Sequence, residues 1–154
     1  MPQLASIVYK PRGLGDDPAT HYLRVPVTEA ELVAGRGLRG DTKAVPTRPL
    51  NIMTAEVLAG LAGEGFHTGP GQMGEQLVIS GLDVNTLAPG DRVQIGAEAV
   101  VEMLSARTGC SRFEAIQGQA AASVQGRLGM MARTVVAGPI RVGDEVKVLA
   151  AAPA

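Results

Sequence analysis

The fold reading turns on "PGDRVQI", residues 89–95. Gly90 accepts a positive φ, Asp91 can bond the backbone that follows it, and Val93, Gln94 and Ile95 alternate in polarity as a half-buried strand does. The same grammar returns in "VGDEVKV", residues 142–148. Both segments read as a Gly-Asp turn feeding a strand of a barrel or sandwich.

Working outward, 20 glycines and 10 prolines spread through 154 residues break the chain into short elements joined by tight turns. Strands are predicted over 4–9, 75–79, 92–96, 99–104, 133–138 and 145–149, each short, rich in β-branched residues and bounded by Gly, Pro or Asp. A helix is predicted over 54–65, with Thr54 as its N-cap and glycines at its C-terminal end. Another should start just after Cys110, where Ser111 and Glu114 have the spacing of a capping box. A third candidate, 120–128, is interrupted by Gly126. The sum predicts a mainly β fold, a Gly-rich β-barrel with a few peripheral helices, forming one domain over 1–154 as a monomer or homodimer.

Bulk properties exclude several functions. A net charge of −1 with 3% aromatic residues offers neither a basic field for phosphates nor stacking platforms for bases, so no nucleic-acid partner is expected. No apolar run reaches membrane-spanning length and the first residues lack the layout of a signal peptide, so a cytoplasmic protein without a membrane partner is expected. The single cysteine can form neither an internal disulfide nor a multi-cysteine metal site.

Gly35, Gly37 and Gly40 spell G-x-G-x-x-G, but that fingerprint works only between a strand and a helix. Here a helix-like TEAEL (28–32) precedes it and two prolines follow, which argues against a dinucleotide site. His21 and His67 are the only histidines, and their spacing makes no metal site. Arg48 and Asn51 place a guanidinium and a carboxamide three residues apart in a stretch pinned by prolines; on their own they read as a surface arginine and a turn asparagine.

Cys110 carries the stronger chemical signal. A thiol becomes a nucleophile or metal ligand as the thiolate, which nearby cations and helix N-termini stabilise. Arg107 and Arg112 bracket Cys110, the expected helix begins just beyond it, and Gly109 would let a ligand approach the backbone. The bland alternative is a small buried hydrophobe.

The ordered set GLRGD (37–41), TRPLNIM (47–53), the run 70–96, VVEMLSARTGCSRF (100–113) and VVAGPIRVGDEVKVL (135–149) resembles the MOSC domain, named for the C-terminal part of molybdenum cofactor sulfurases. The resemblance implies a β-barrel like the small domain of pyruvate kinase, and molybdenum chemistry. Members either carry sulfur to the molybdenum cofactor or hold that cofactor (molybdopterin) and reduce N-hydroxylated compounds. It implies Cys110 as metal ligand or persulfide carrier, with Arg48 and Asn51 as polar contacts to the pterin phosphate and Arg107 and Thr108 lining the same pocket. Lys43, following Gly40-Asp41 where many members carry a histidine, and Glu75 complete the implied cofactor-binding set; Asp41 and Glu75 also suit turns and strand ends. The chain has no room for a pyridoxal-phosphate desulfurase or a ferredoxin domain, so the implied partners are a separate cysteine desulfurase or electron donor. Oxidoreduction of an N–O bond is the leading function, with a non-catalytic sulfur-carrier or cofactor-delivery module as the alternative. The cofactor is expected to be lost on purification.

Overall fold

The computed structural model describes residues 1–11, 24–42, 49–109 and 111–149, except the side chains of residues 111 and 112. The described residues form ten strands: β1 (Gln3–Tyr9), β2 (Val25–Val27), β3 (Glu29–Leu32), β4 (Leu50–Thr54), β5 (Leu77–Ser80), β6 (Arg92–Ile95), β7 (Ala99–Ala106), β8 (Met130–Val136), β9 (Gly138–Arg141) and β10 (Val146–Leu149). Two helices accompany them, α1 (Ala55–Gly63) and α2 (Ser111–Gln117), with 3-10 turns at Val84–Thr86 and Ala121–Val124. The fold is mainly β, as expected.

Eight strands form one sheet in the order β10-β6-β7-β8-β4-β5-β1-β2, and β3 pairs with β9 separately. The sheet is not closed into a barrel. Its curl nevertheless brings the turn before β10 onto β1, where a single bridge joins Gln3 to Glu145.

The two Gly-Asp turns explain how that contact forms. Gly90 and Gly143 both have positive φ, at 94° and 97°. Asp91 Oδ2 accepts from the Ala88 N–H and Asp144 Oδ2 from the Arg141 N–H, each at 2.8 Å, so both carboxylates cap the backbone three residues back and not the backbone that follows. Each turn then grips a strand in the same way. Gly90 N–H donates to Met103 O while Met103 N–H donates to Asp91 O; Gly143 N–H donates to Leu4 O while Leu4 N–H donates to Asp144 O. The repeated sequence is thus a repeated docking device, one copy on β7 and the other on β1.

Strand parity sorts the side chains. Leu50 and Ile52 of β4 enter the main core with Ile7, Leu77, Ile79, Val101 and Met103. Met53, on the opposite face, joins a second cluster with Leu61, Met73, Phe113 and Leu128 beneath the helices. Asn51 shares the parity of Met53, so it faces the helical side of the sheet.

Several local expectations are corrected. TEAEL is not helical: Glu29–Leu32 is β3, paired with β9 because Leu32 and Ile140 both bury in the core. The Gly35–Gly40 segment is a tight return after β3, with Leu38 bridging to Leu32, so it follows a strand and not the helix-like stretch expected; the residues from 43 to 48 lie outside the described ones. Thr54 takes the N-cap position of α1, as expected, but its side chain makes no capping bond, since its hydroxyl donates to Leu82 O at 3.0 Å and accepts from the Val84 N–H at 2.9 Å. α2 begins at Ser111, and the Glu114 carboxylate accepts from the Ala121 N–H at 2.7 Å, a tie onto the next turn; the Ser111 side chain on which the expected capping box turns lies outside what is described. The 120–128 segment stops after one 3-10 turn, Ala121–Val124.

Gly129 is the tightest backbone approach at the start of β8. Its φ is +80°, and a Cβ there would fall 1.9 Å from Ile52 O. Its peptide groups exchange two hydrogen bonds with the Asn85 carboxamide, and its carbonyl also accepts from the Arg107 N–H. Gly129→Ala should therefore lower stability by about 2–4 kcal/mol, from backbone strain plus overpacking. Gly143→Ala, also at positive φ but with nothing within 4 Å, should cost only about 1 kcal/mol; urea denaturation midpoints compare the two.

Candidate functional site

The exit of β1 and the starts of β4 and β5 lie at one end of the sheet, because β1 runs antiparallel and β4 parallel to β5. Asn51 is held there on three sides. Its N–H donates to Gln76 Oε1 at 2.7 Å, its carbonyl accepts from the Gln76 N–H at 2.9 Å, and its Nδ2 donates to Gly74 O at 3.0 Å. Asn51 Oδ1 is shielded from solvent and, among the described residues, has no hydrogen-bond donor. An unpaired buried acceptor costs about 1–3 kcal/mol, so a water or ligand donor is its natural complement.

Glu75 is buried, at 3% exposure, and its two oxygens accept from the Gly71 N–H at 2.8 Å and the Met73 N–H at 3.2 Å. Burial pushes its carboxyl above the usual carboxylate range, against the opposing pull of those N–H groups and of the Arg107 guanidinium. Both oxygens of Glu75, which the resemblance placed among the cofactor contacts, accept from N–H groups of the loop before β5.

Behind this first layer, Gln76 Nε2 donates to Asp41 Oδ2 at 3.3 Å, and Asp41 Oδ1 accepts from the Lys10 N–H at 3.1 Å. On the helical side, Gln117 of α2 clamps the same loop. It accepts from the His67 N–H at 2.7 Å and donates to His67 O at 2.9 Å and Gln72 O at 3.1 Å. Arg107 follows β7 and is half-buried, and its nearness to Glu75 brings it to the same place; Thr108 beside it is exposed.

The structure thus brings Asn51, Glu75 and Arg107 together from three distant segments. Lys43, Arg48, Cys110 and His21 lie outside the described residues. Gly109 does not leave an open approach, since a Cβ there would meet Ala121 Cβ at 2.6 Å and Phe113 Cδ1 at 3.1 Å. Among the described residues, no three His, Cys, Asp or Glu side chains gather as a metal site, and no helix is long and apolar enough to cross a membrane.

Gln76, Gln117 and Arg24, whose stem packs on Gly71, were missed from sequence. Nothing in their spacing distinguishes them from surface residues. Gln76, immediately before the apolar LVIS strand, was the most accessible signal, since a glutamine at the start of a buried strand needs partners.

A family model for the MOSC domain matches residues 39–147, and the chain belongs to that family. Among solved structures it is similar to the YUAD protein from Bacillus subtilis, with a TM-score of 0.74 and 16% identity over 96% of both chains. It is also similar to YiiM from Geobacillus stearothermophilus, with a TM-score of 0.71 and 18% identity over 97% of this chain and 75% of that one. YiiM from Escherichia coli aligns with a TM-score of 0.71 and 21% identity, over 97% of this chain and 71% of that one. At these identities the likeness is one of fold. No curated protein sequence matches the chain.

The raised carboxyl of Glu75 has a signed consequence. An acid more basic in the folded than in the unfolded state contributes stability that is fully present below its unfolded value and lost as pH rises through its folded value. Glu75→Gln should therefore remove a fall in stability that begins as pH rises past the ordinary carboxylate value and is complete above the raised folded one. Urea denaturation of both proteins from acidic to neutral pH reads this as a pH-dependent difference between them.

Proposed function

We propose that this MOSC protein, acting as one unit over 1–154 in the cytoplasm, binds the molybdenum cofactor at the end of the sheet where Asn51, Glu75 and Arg107 converge. The observation that carries the reading is that convergence, three residues before the chain's single cysteine: Arg107 leads through Thr108 and Gly109 into Cys110, which immediately precedes α2. MOSC membership supports the choice of cofactor.

The residues suit such a group. Arg107 brings a fixed positive charge for an anionic cofactor, and Asn51 Oδ1 offers a buried acceptor lacking a donor, which a pterin N–H can supply. Glu75 acts indirectly, pinning the 71–75 loop and attracting Arg107. Cys110 would be the metal's thiolate ligand, and Arg48, Lys43 and Thr108 would add polar contacts to the cofactor. When bound, the molybdenum centre supplies the two-electron chemistry for reductive cleavage of an N–O bond in a small N-hydroxylated substrate, with electrons from a separate protein. The chain's own task is to seat the cofactor's charged and polar groups and to hold the thiolate.

Protein produced in cells that make the cofactor, then analysed for molybdenum and for released pterin, should carry both in comparable amounts. Cys110→Ser should lose most of the metal, and Arg107→Gln should weaken retention about tenfold to a hundredfold, the worth of a charge-assisted hydrogen bond. Wild-type protein that carries neither and takes up neither on reconstitution would overturn the reading. A Cys110 adduct one sulfur heavier after incubation with a cysteine desulfurase, without bound metal, would replace it with the sulfur-carrier role.

A further inference from the structure

We infer that Asn51 is an acceptor that selects a hydrogen-bond donor on the ligand: its Oδ1 receives an N–H or O–H of the bound group, and the ligand's phosphate lies elsewhere. This rests on the cofactor reading above and specifies which part of the ligand meets which side chain. It reverses what the family resemblance implies, where Asn51 is a contact to phosphate.

The polarity of the carboxamide follows from its neighbours. Gly74 O can only accept, so the Asn51 atom 3.0 Å from it is the nitrogen. Rotating the amide by half a turn would set two acceptors against each other. The side chain has little freedom to turn otherwise, because both backbone groups of Asn51 are bonded to Gln76, and Gln76 is bonded in turn to Asp41. Oδ1 is therefore the atom left over, hidden from solvent without a donor. The residue as a whole is only half-buried, so this acceptor lies just beneath the surface on the helical face of the sheet.

An ionised phosphate presents lone pairs and would be repelled at Oδ1. A pterin ring, by contrast, carries amide-like N–H and amino donors of the required sign. The guanidinium of Arg107 is the appropriate partner for the ligand's negative charge. Asn51 and Arg107 thus divide the ligand into a donor end and an anionic end.

The test uses the full chain with two probes, hydroxymethylpterin and inorganic phosphate, and follows the side-chain carbonyl carbon resonance of Asn51 by NMR. Hydroxymethylpterin should shift that resonance downfield, and phosphate should leave it unmoved. Asn51→Leu, near in size but without the acceptor, should weaken pterin binding roughly tenfold to a hundredfold and leave phosphate affinity unchanged. Because the wild-type resonance is read directly, the result does not depend on how well the variant folds. Pterin binding that leaves the Asn51 carbon unmoved would overturn this inference alone and assign Oδ1 to a structural water. A shift produced by phosphate would overturn the donor assignment. Absence of any pterin binding by the wild type would remove this inference and the cofactor reading together.

Discussion

The parallel pairing of β4 with β5 is the constraint on which the site depends. Parallel neighbours cannot be joined by a hairpin, so the chain must leave the sheet after Thr54 and return before Leu77. It does so through α1 and the loop that ends in Gly74, Glu75 and Gln76. Ile52 then lies opposite Leu77, which sets Asn51 level with Gln76. The bonds of the Asn51 N–H to Gln76 Oε1 and of the Gln76 N–H to Asn51 O, together with the bond from Asn51 Nδ2 to Gly74 O, make the returning loop one wall of the site.

Buried polar groups hold this wall where a hydrophobic contact would not fix direction. Glu75 spends its carboxylate on two loop N–H groups, and Gln117 spends its carboxamide on the same loop from the helical side. Such networks specify one arrangement because every alternative leaves a buried donor or acceptor unpaired. Asn51 Oδ1 is an unmatched acceptor within this network among the described residues, and such an atom is where a ligand's donor has most to contribute.

Gly129 shows how the β framework and the site share a support. Its bare Cα lets β8 start against the carbonyl of Ile52, the residue after Asn51, while its own carbonyl receives Arg107 N–H. One glycine thus couples the position of Asn51 to that of Arg107. The paired Gly-Asp turns act at the other end of the sheet's construction, docking onto β7 and β1 without completing the expected barrel.

The sequence by itself determined the mainly β class, the six predicted strands and α1, because turn chemistry and alternation are local properties of the chain. It also singled out Cys110 and Arg107, since cations near a thiol can be read from neighbours alone. Only the tertiary structure decided that TEAEL is a strand, as its helix-like pattern gave way to pairing with β9. The same holds for Glu114, whose carboxylate takes a partner seven residues beyond it. The polarity of Asn51 and the use of Glu75 were equally beyond local reading. Which end of a carboxamide is free, and which N–H groups a buried carboxylate must satisfy, depends on residues such as Gly74 and Arg107 that only folding brings within reach.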